Sequence, residues 1–121
     1  MTVGPDKLGP WLERALDLSS TRHRALATNV ANVDTPEYTP SDVEFSSVLA
    51  RALETPEGVS SMRSPEEKKR YDVAPSLDGN RVDLDQEVVR MTSNRVFYEL
   101  ATEVVNRRLA LLRYSIDEGG R

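Results

Sequence analysis

Residues 83–118 read DLDQEVVRMTSNRVFYELATEVVNRRLALLRYSIDE. Within this run Val88, Met91, Arg95, Tyr98, Thr102, Val105, Leu109, Leu112 and Ile116 recur at alternating steps of three and four. That spacing is a stripe along an α-helix. Phe97, Leu100, Ala101, Val104 and Leu111 add a second apolar face. Asp83 stands where an N-cap belongs, and Gln86 three residues on fits a capping box. Gly119-Gly120 supplies the stop. The pattern predicts one helix over 83–118. Roughly 35 helical residues extend about 50 Å at 1.5 Å per residue, a long element for a chain of 121 residues. The fold is therefore expected to be mainly α, around a helix with too many apolar faces for one neighbour to cover.

Residues 6–33 are the candidate neighbour. Leu12, Leu16, Ser19, His23, Leu26, Val30 and Val33 form a heptad-like seam interrupted by two polar residues. Ala15, Leu18, Ala25 and Asn29 lie on an adjoining face, and Pro10 fits the first turn, where its missing N–H is not needed. The two terminal helices are expected to pack as a coiled-coil-like pair. Between them, residues 34–80 hold five of the seven prolines. Within that segment SDVEFSSVLARALE (41–54) predicts a short helix, with Ser41 as cap and Glu44 closing a capping box. Phe45, Val48, Leu49 and Leu53 then share one face. The polar, turn-rich residues beyond it read as a mobile loop or short irregular strands. A single domain spanning 1–121 is the expected organisation.

Composition narrows the function. Hydrophobic residues are 38%, charged residues 30% and aromatics 6%, lean for a globular core. Net charge is −4 and the pI is near 5.0, so no basic excess drives nucleic-acid binding. With no cysteine, disulfides and thiolate metal sites are excluded. A single histidine leaves a zinc site short of ligands. No cofactor is implied. No run of 18 apolar residues exists, so direct membrane insertion is not expected. The N-terminus lacks the basic start and apolar run of a secretory signal. The chain is expected to stay in the cytosol unless it leaves by a route without a cleaved signal. The surplus apolar surface of the last helix predicts packing against neighbouring subunits. The alternative is a self-contained bundle in which the 41–54 helix covers that face.

Candidate chemistry is sparse. His23 has Ser19 and Ser20 one turn away, but no Gly-flanked serine elbow accompanies them; a polar seam or solvent-facing histidine is the competing reading. Asp83, Asp85 and Glu87 cluster at a helix N-terminus, where negative charge is favoured anyway. Glu66-Glu67 run into Lys68, Lys69 and Arg70, a solvated mixed-charge stretch without metal-ligand spacing. Arg107 and Arg108 complement a helix C-terminal dipole or bridge carboxylates on an adjacent subunit.

One further stretch, NVANVDTPEYTP (29–40), carries two asparagines into a helix end. Asn29 and Asn32 are poor helix formers. A buried asparagine in a seam fixes register at some loss of stability. Asn32 tolerates a left-handed cap. Thr35 before Pro36 is pushed to extended geometry, and Tyr38 is placed to anchor the exit against a helix.

The longer string ALATNVANVDTPEY (25–38) resembles the N-terminal signature of the bacterial flagellar axial proteins, the rod, hook and related subunits, usually written A-N-x-x-T-P-G-Y. Asn32, Thr35, Pro36 and Tyr38 sit at its offsets. Glu37 departs from it, where glycine is usual. Glycine permits a type II turn; glutamate predicts a type I turn or an extended exit. The short length, the run PSDVEFSSVLARALE (40–54) and residues 79–116 look like a proximal rod subunit, with the sister rod protein FlgC as the alternative. Residues 55–78 lie outside the resemblance.

The resemblance implies export, unfolded or partly folded, through the flagellar type III apparatus. It implies helical stacking with terminal helices forming an inner tube, and torque transmission by a rod that crosses the periplasm. Implied partners are further copies, other rod proteins, the ring-adaptor protein FliE and the MS-ring protein FliF. Assembly residues are then expected on the helices, at Leu12, Leu16, Leu26 and Val30 and at Val88, Met91, Tyr98, Val105, Leu109, Leu112 and Ile116. Others are expected at the corner, at Asn29, Asn32, Thr35, Pro36 and Tyr38. The reading from another class is a soluble helical adaptor that binds one partner helix. An enzyme is not expected.

Overall fold

The computed structural model describes residues 5–54 and 66–120, with side chains described for 8–51, 54 and 66–120. In chain order the elements are α1 (Pro5–Ala31), β1 (Ser41–Val43), α2 (Ser46–Glu54), β2 (Glu67–Lys69) and α3 (Leu84–Gly119). The expected mainly α fold forms, and its two long helices pack on one another. Three meetings fix them as antiparallel: Gly9 with Arg108, Ser19 with Asn94, and Asn29 with Glu87.

α3 starts where its cap predicts. Asp83 has extended φ and ψ, and its carboxylate accepts the Gln86 N–H at 3.2 Å. Asp85 and Glu87 in the first turn suit the helix dipole. At the far end the Gly120 N–H reaches the Ile116 carbonyl at 3.1 Å with φ −89°, so the stop uses no left-handed glycine. The 36 residues span about 54 Å. α1 differs from expectation at both ends. It begins at Pro5, which takes the opening position, so Pro10 lies inside the helix rather than in its first turn. The hydrogen bond this forfeits is the one to the Asp6 carbonyl, close to the helix start. The regular helix stops at Ala31, and the Val33 N–H closes a tighter turn on the Val30 carbonyl at 3.2 Å.

The middle segment departs most. Residues 41–43 are a strand and not the first turn of a helix, so Ser41 and Glu44 form no capping box. The reason is that Ser41 spends its backbone groups elsewhere. Its N–H and C=O both bond the Asn29 side chain, and β1 pairs antiparallel with β2, Asp42 opposite Lys68. Ser41 and Val43 are buried and Asp42 between them is half-buried, the period of a strand. Helix α2 opens after Phe45, whose carbonyl accepts the Leu49 N–H at 3.2 Å. The short irregular strand foreseen in the middle is β2; Leu53's side chain and residues 55–65 lie outside the described residues.

The apolar core sits where α2 and β1 cover the helix pair. Ala15, Leu18, Val43 and Leu49 form it, and Trp11, Phe45, Val48 and Phe97 pack around it. Phe45 and Phe97 meet edge-to-face with centroids 4.5 Å apart. This cluster covers only the middle of α3. Its buried residues are Glu87, Asn94 and Ala101, one every seven residues. The stripe running from Val88 to Ile116 lies one residue further round the helix, half-buried at Met91 and Val105 but exposed at Val88, Tyr98, Leu109, Leu112 and Ile116.

Candidate assembly site

The corner between α1 and α3 is organised by Asn29, which is fully buried. Its side-chain nitrogen donates to the Ser41 carbonyl at 2.7 Å and to a Glu87 carboxylate oxygen at 3.1 Å. Its side-chain oxygen accepts from the Tyr38 hydroxyl and the Ser41 N–H, both at 3.0 Å. All four of its hydrogen-bonding positions are used. One amide thus ties the end of α1 to the chain leaving it, to β1, and to the first turn of α3. Burial holds the Tyr38 hydroxyl above its ordinary pKa, and the carboxylates of Glu67 and Glu87 act in the same direction. Its ring lies 5.6 Å from the Lys69 ammonium. Tyr38 therefore anchors the exit against α1, as its position predicts.

The turn itself corrects an expectation. The Tyr38 N–H points back to the Thr35 carbonyl at 3.4 Å, and Glu37 has φ +58°. Proline cannot take positive φ, so Pro36 followed by a left-handed Glu37 is the type II arrangement. The chain keeps the glycine conformation although glutamate occupies the place; neither a type I turn nor an extended exit forms. What holds it is the facing loop. The Glu37 N–H donates to the Asp78 carbonyl at 2.9 Å, and Gly79, itself at φ +81°, lies against the Glu37 backbone. Asn80 completes the clamp. Its side-chain nitrogen donates to the carbonyls of Asn32 at 2.9 Å and Thr35 at 2.6 Å. Asn32 adopts no left-handed cap; its amide donates to the Thr28 carbonyl and accepts the Thr35 hydroxyl.

A ladder of charges straps residues 66–82 onto this corner. Arg22 pairs with Asp42 through two nitrogens, at 2.9 and 3.1 Å. Arg90 bridges Asp42 at 3.7 Å and Asp72 at 2.9 Å. Arg70 spans Asp72 and the buried carboxylate of Glu87, which is 1% exposed. A buried carboxylate requires such a partner, because an unpaired charge there carries a large desolvation penalty. Further along the pair, Asn94 donates to the Ser19 carbonyl at 2.8 Å and accepts the Ser19 hydroxyl at 3.1 Å. Ser19 is thus engaged with α3, and His23 is solvent-exposed, so the two do not form a nucleophile and base.

The expected assembly residues divide into three groups. Leu12, Leu26 and Asn29 are buried within the chain, and Leu16, Val30, Asn32, Tyr38, Met91 and Val105 are partly covered. Thr35, Pro36, Val88, Tyr98, Leu109, Leu112 and Ile116 face outward. The exposed group is densest towards the end of α3, where Leu111 and Tyr114 join it and Ile116 is 73% exposed. Here Leu8, Val104, Arg107, Arg108, Leu111, Leu112 and Ser115 line an open groove of about 420 Å³. Sequence reading missed Asn80, Arg70, Arg90 and the roles of Glu87 and Asn94. The seven-residue spacing of Glu87, Asn94 and Ala101 is the signal that marks the inner seam; nothing in the sequence marks Asn80. Among the described residues no helix is long and apolar enough to cross a membrane.

No family model matches the chain. Curated relatives do. It is 33% identical over 130 residues to the flagellar basal body rod protein FlgB of Cereibacter sphaeroides, covering 96% of this chain and 98% of the relative. It is 34% identical over 115 residues to the protein of that name from Salmonella typhimurium, covering 80% and 83%. With the one from Borrelia hermsii it shares 34% identity over 110 residues, covering 75% and 82%.

Proposed function

The chain belongs to the FlgB family of flagellar basal body rod proteins, and from that premise we propose that it stacks helically, on copies of itself and on other rod proteins, to build the proximal rod. It is a structural subunit, and its relatives bear the FlgB name rather than that of the sister rod protein FlgC. The observation that carries the stacking is the apolar end of α3. Val104, Leu109, Leu111, Leu112, Tyr114 and Ile116 all remain exposed in the single chain. A surface of that kind is expected to be covered by neighbouring subunits. Contacts of this sort that run head to tail without closing give a filament.

In this reading the chain performs no chemistry. Torque passes through many packed side chains, and the hydrogen-bonded corner keeps α1 and α3 in fixed register while it does so. The middle segment stays outside the helical tube. The chain leaves the cytoplasm through the type III export apparatus and takes its place in the periplasmic part of the basal body. There it contacts the ring-adaptor protein FliE, the MS-ring protein FliF and the next rod proteins. The test is complementation of a motile bacterium lacking its own FlgB. Restored swimming with the chain recovered in purified basal bodies is the expected result. Stable binding to a single soluble partner, with no recovery in basal bodies, would favour an adaptor instead.

A further inference from the structure

Leu77 is the most exposed large apolar residue among those described, at 111% of its reference area. It is not on a loose loop. The Gly79 N–H donates to the Ser76 carbonyl at 2.9 Å, and the Ser76 N–H to the Asn80 carbonyl at 2.8 Å. The Asp78 carboxylate accepts from the Ser76 hydroxyl and the Asn80 N–H, and the Asp78 carbonyl holds Glu37. A leucine displayed in water on a turn this firmly fixed adds nothing to the fold of its own chain. Fixing it in place does lower the entropy cost of docking it elsewhere.

The matching hole lies at the other end of the molecule. The groove lined by Leu8, Val104, Leu111 and Leu112 is apolar, with Arg107 and Arg108 beside it. The Leu77 turn adjoins the corner where α1 ends near Glu87; the groove lies near Arg108, about 30 Å further along α3. The charges beside knob and groove are opposite. Asp78 and Glu37 are exposed next to Leu77, and hydrogen bonds from Ser76 and Asn80 hold the Asp78 carboxyl below its ordinary pKa, so it stays ionised. Arg81, the nearby cation, is turned towards the Tyr71 ring and the Val73 carbonyl. Arg107 pairs with Glu103 on its own helix, and exposed pairs of that kind exchange partners at little cost.

We propose that the Leu77 turn is a knob that enters the Leu8–Leu111–Leu112 groove of a second copy, with Asp78 and Glu37 facing Arg107. Knob and groove lie on different surfaces of one chain, so the contact is heterologous and repeats along one direction. The second copy rests on the rod-subunit reading; the residues in contact do not.

The native chain has no cysteine, so engineered pairs report cleanly. The purified Leu77→Cys/Leu111→Cys chain, oxidised at assembling concentration, should give a ladder of disulfide-linked multimers. A mixture of the two single variants should give dimers only. Leu77→Asp should keep wild-type circular dichroism and weaken self-association roughly 10- to 100-fold, the loss for one buried leucine. Absence of the 77–111 cross-link overturns the contact, whether the chain assembles another way or stays monomeric. The rod reading is judged separately, by recovery of the same double variant in basal bodies. Recovery without the cross-link sinks the knob alone; exclusion of the wild-type chain from basal bodies sinks the rod reading.

Discussion

Replacing Asn29 by alanine removes four hydrogen bonds at one buried point. A typical bond contributes about 1 kcal/mol net, and a buried group left unsatisfied costs about 1–3 kcal/mol. The Ser41 N–H and C=O, the Tyr38 hydroxyl and a Glu87 oxygen all lose this partner. Some relaxation offsets the total, leaving a loss of about 3–5 kcal/mol. A chain of 121 residues has roughly 6–18 kcal/mol in all, so a large share of the stability depends on one amide. In urea this is a midpoint shift of about 2 M at an m-value near 2 kcal/mol/M. Circular dichroism follows the helices, and the single tryptophan, Trp11, reports on the core it packs against. Asn29→Asp separates the network from mere volume. The new carboxylate still accepts from Tyr38 and Ser41 but sits beside Glu87 and opposite the Ser41 carbonyl. Its folded pKa is raised above the ordinary value near 4, so stability is complete below that value and lost as pH rises through the raised one. This variant should be weaker at pH 7 than at pH 4.5, relative to the wild type at each pH. If Asn29→Ala stays within 0.5 kcal/mol of wild type, or the Asp variant shows no such pH dependence, the hub assignment is wrong.

Glu37→Gly should stabilise the chain by about 0.5 kcal/mol. Relief of the left-handed φ of +58°, about 1–2 kcal/mol, exceeds the added freedom of the unfolded chain; a lower melting temperature would contradict the type II turn. Gly79→Ala should cost about 1–2 kcal/mol in a urea titration. Its φ is +81°, and a Cβ there lies 3.1 Å from the Glu37 Cγ and 3.3 Å from its Cα; a neutral outcome would mean the loop does not clamp the turn. Tyr38 has a raised folded pKa. Its stabilisation is therefore intact below pH 10 and lost as pH rises through the higher folded value. Ultraviolet titration should show one late-ionising tyrosine, absent in Tyr38→Phe, and an unchanged titration in that variant would remove Tyr38 from the buried network.

The helices were legible because their signals are local. Asp83 and Gln86 mark a cap within four residues, and the three-four spacing of α3 persists over about eight turns. The face of α3 turned to α1 was harder to read, because apolar periodicity points to Val88, Leu109 and Ile116 while the inner seam runs through Glu87, Asn94 and Ala101. Those two polar residues become inward-facing only through partners far away in sequence, Ser19 and Asn29 on α1 and Arg70 on the strap. The same holds for Ser41, which looks like a helix cap until Asn29 takes its backbone groups. Glu37 shows the converse. Its own preference predicts the wrong turn, and contacts to Asp78 and Gly79 override it. The exposed end of α3 was legible as surplus apolar surface, and the single chain leaves it uncovered.

That uncovered end carries the central claim, and Leu109→Asp tests it most directly. Leu109 is 49% exposed in the single chain, so the substitution should leave helix content unchanged and the unfolding free energy within about 0.5 kcal/mol of wild type. In the rod the same carboxylate would be buried among neighbouring helices without a partner. Incorporation into basal bodies and swimming should therefore be abolished while the isolated chain still folds. A Leu109→Asp chain that enters basal bodies at wild-type levels and restores normal swimming would contradict the account.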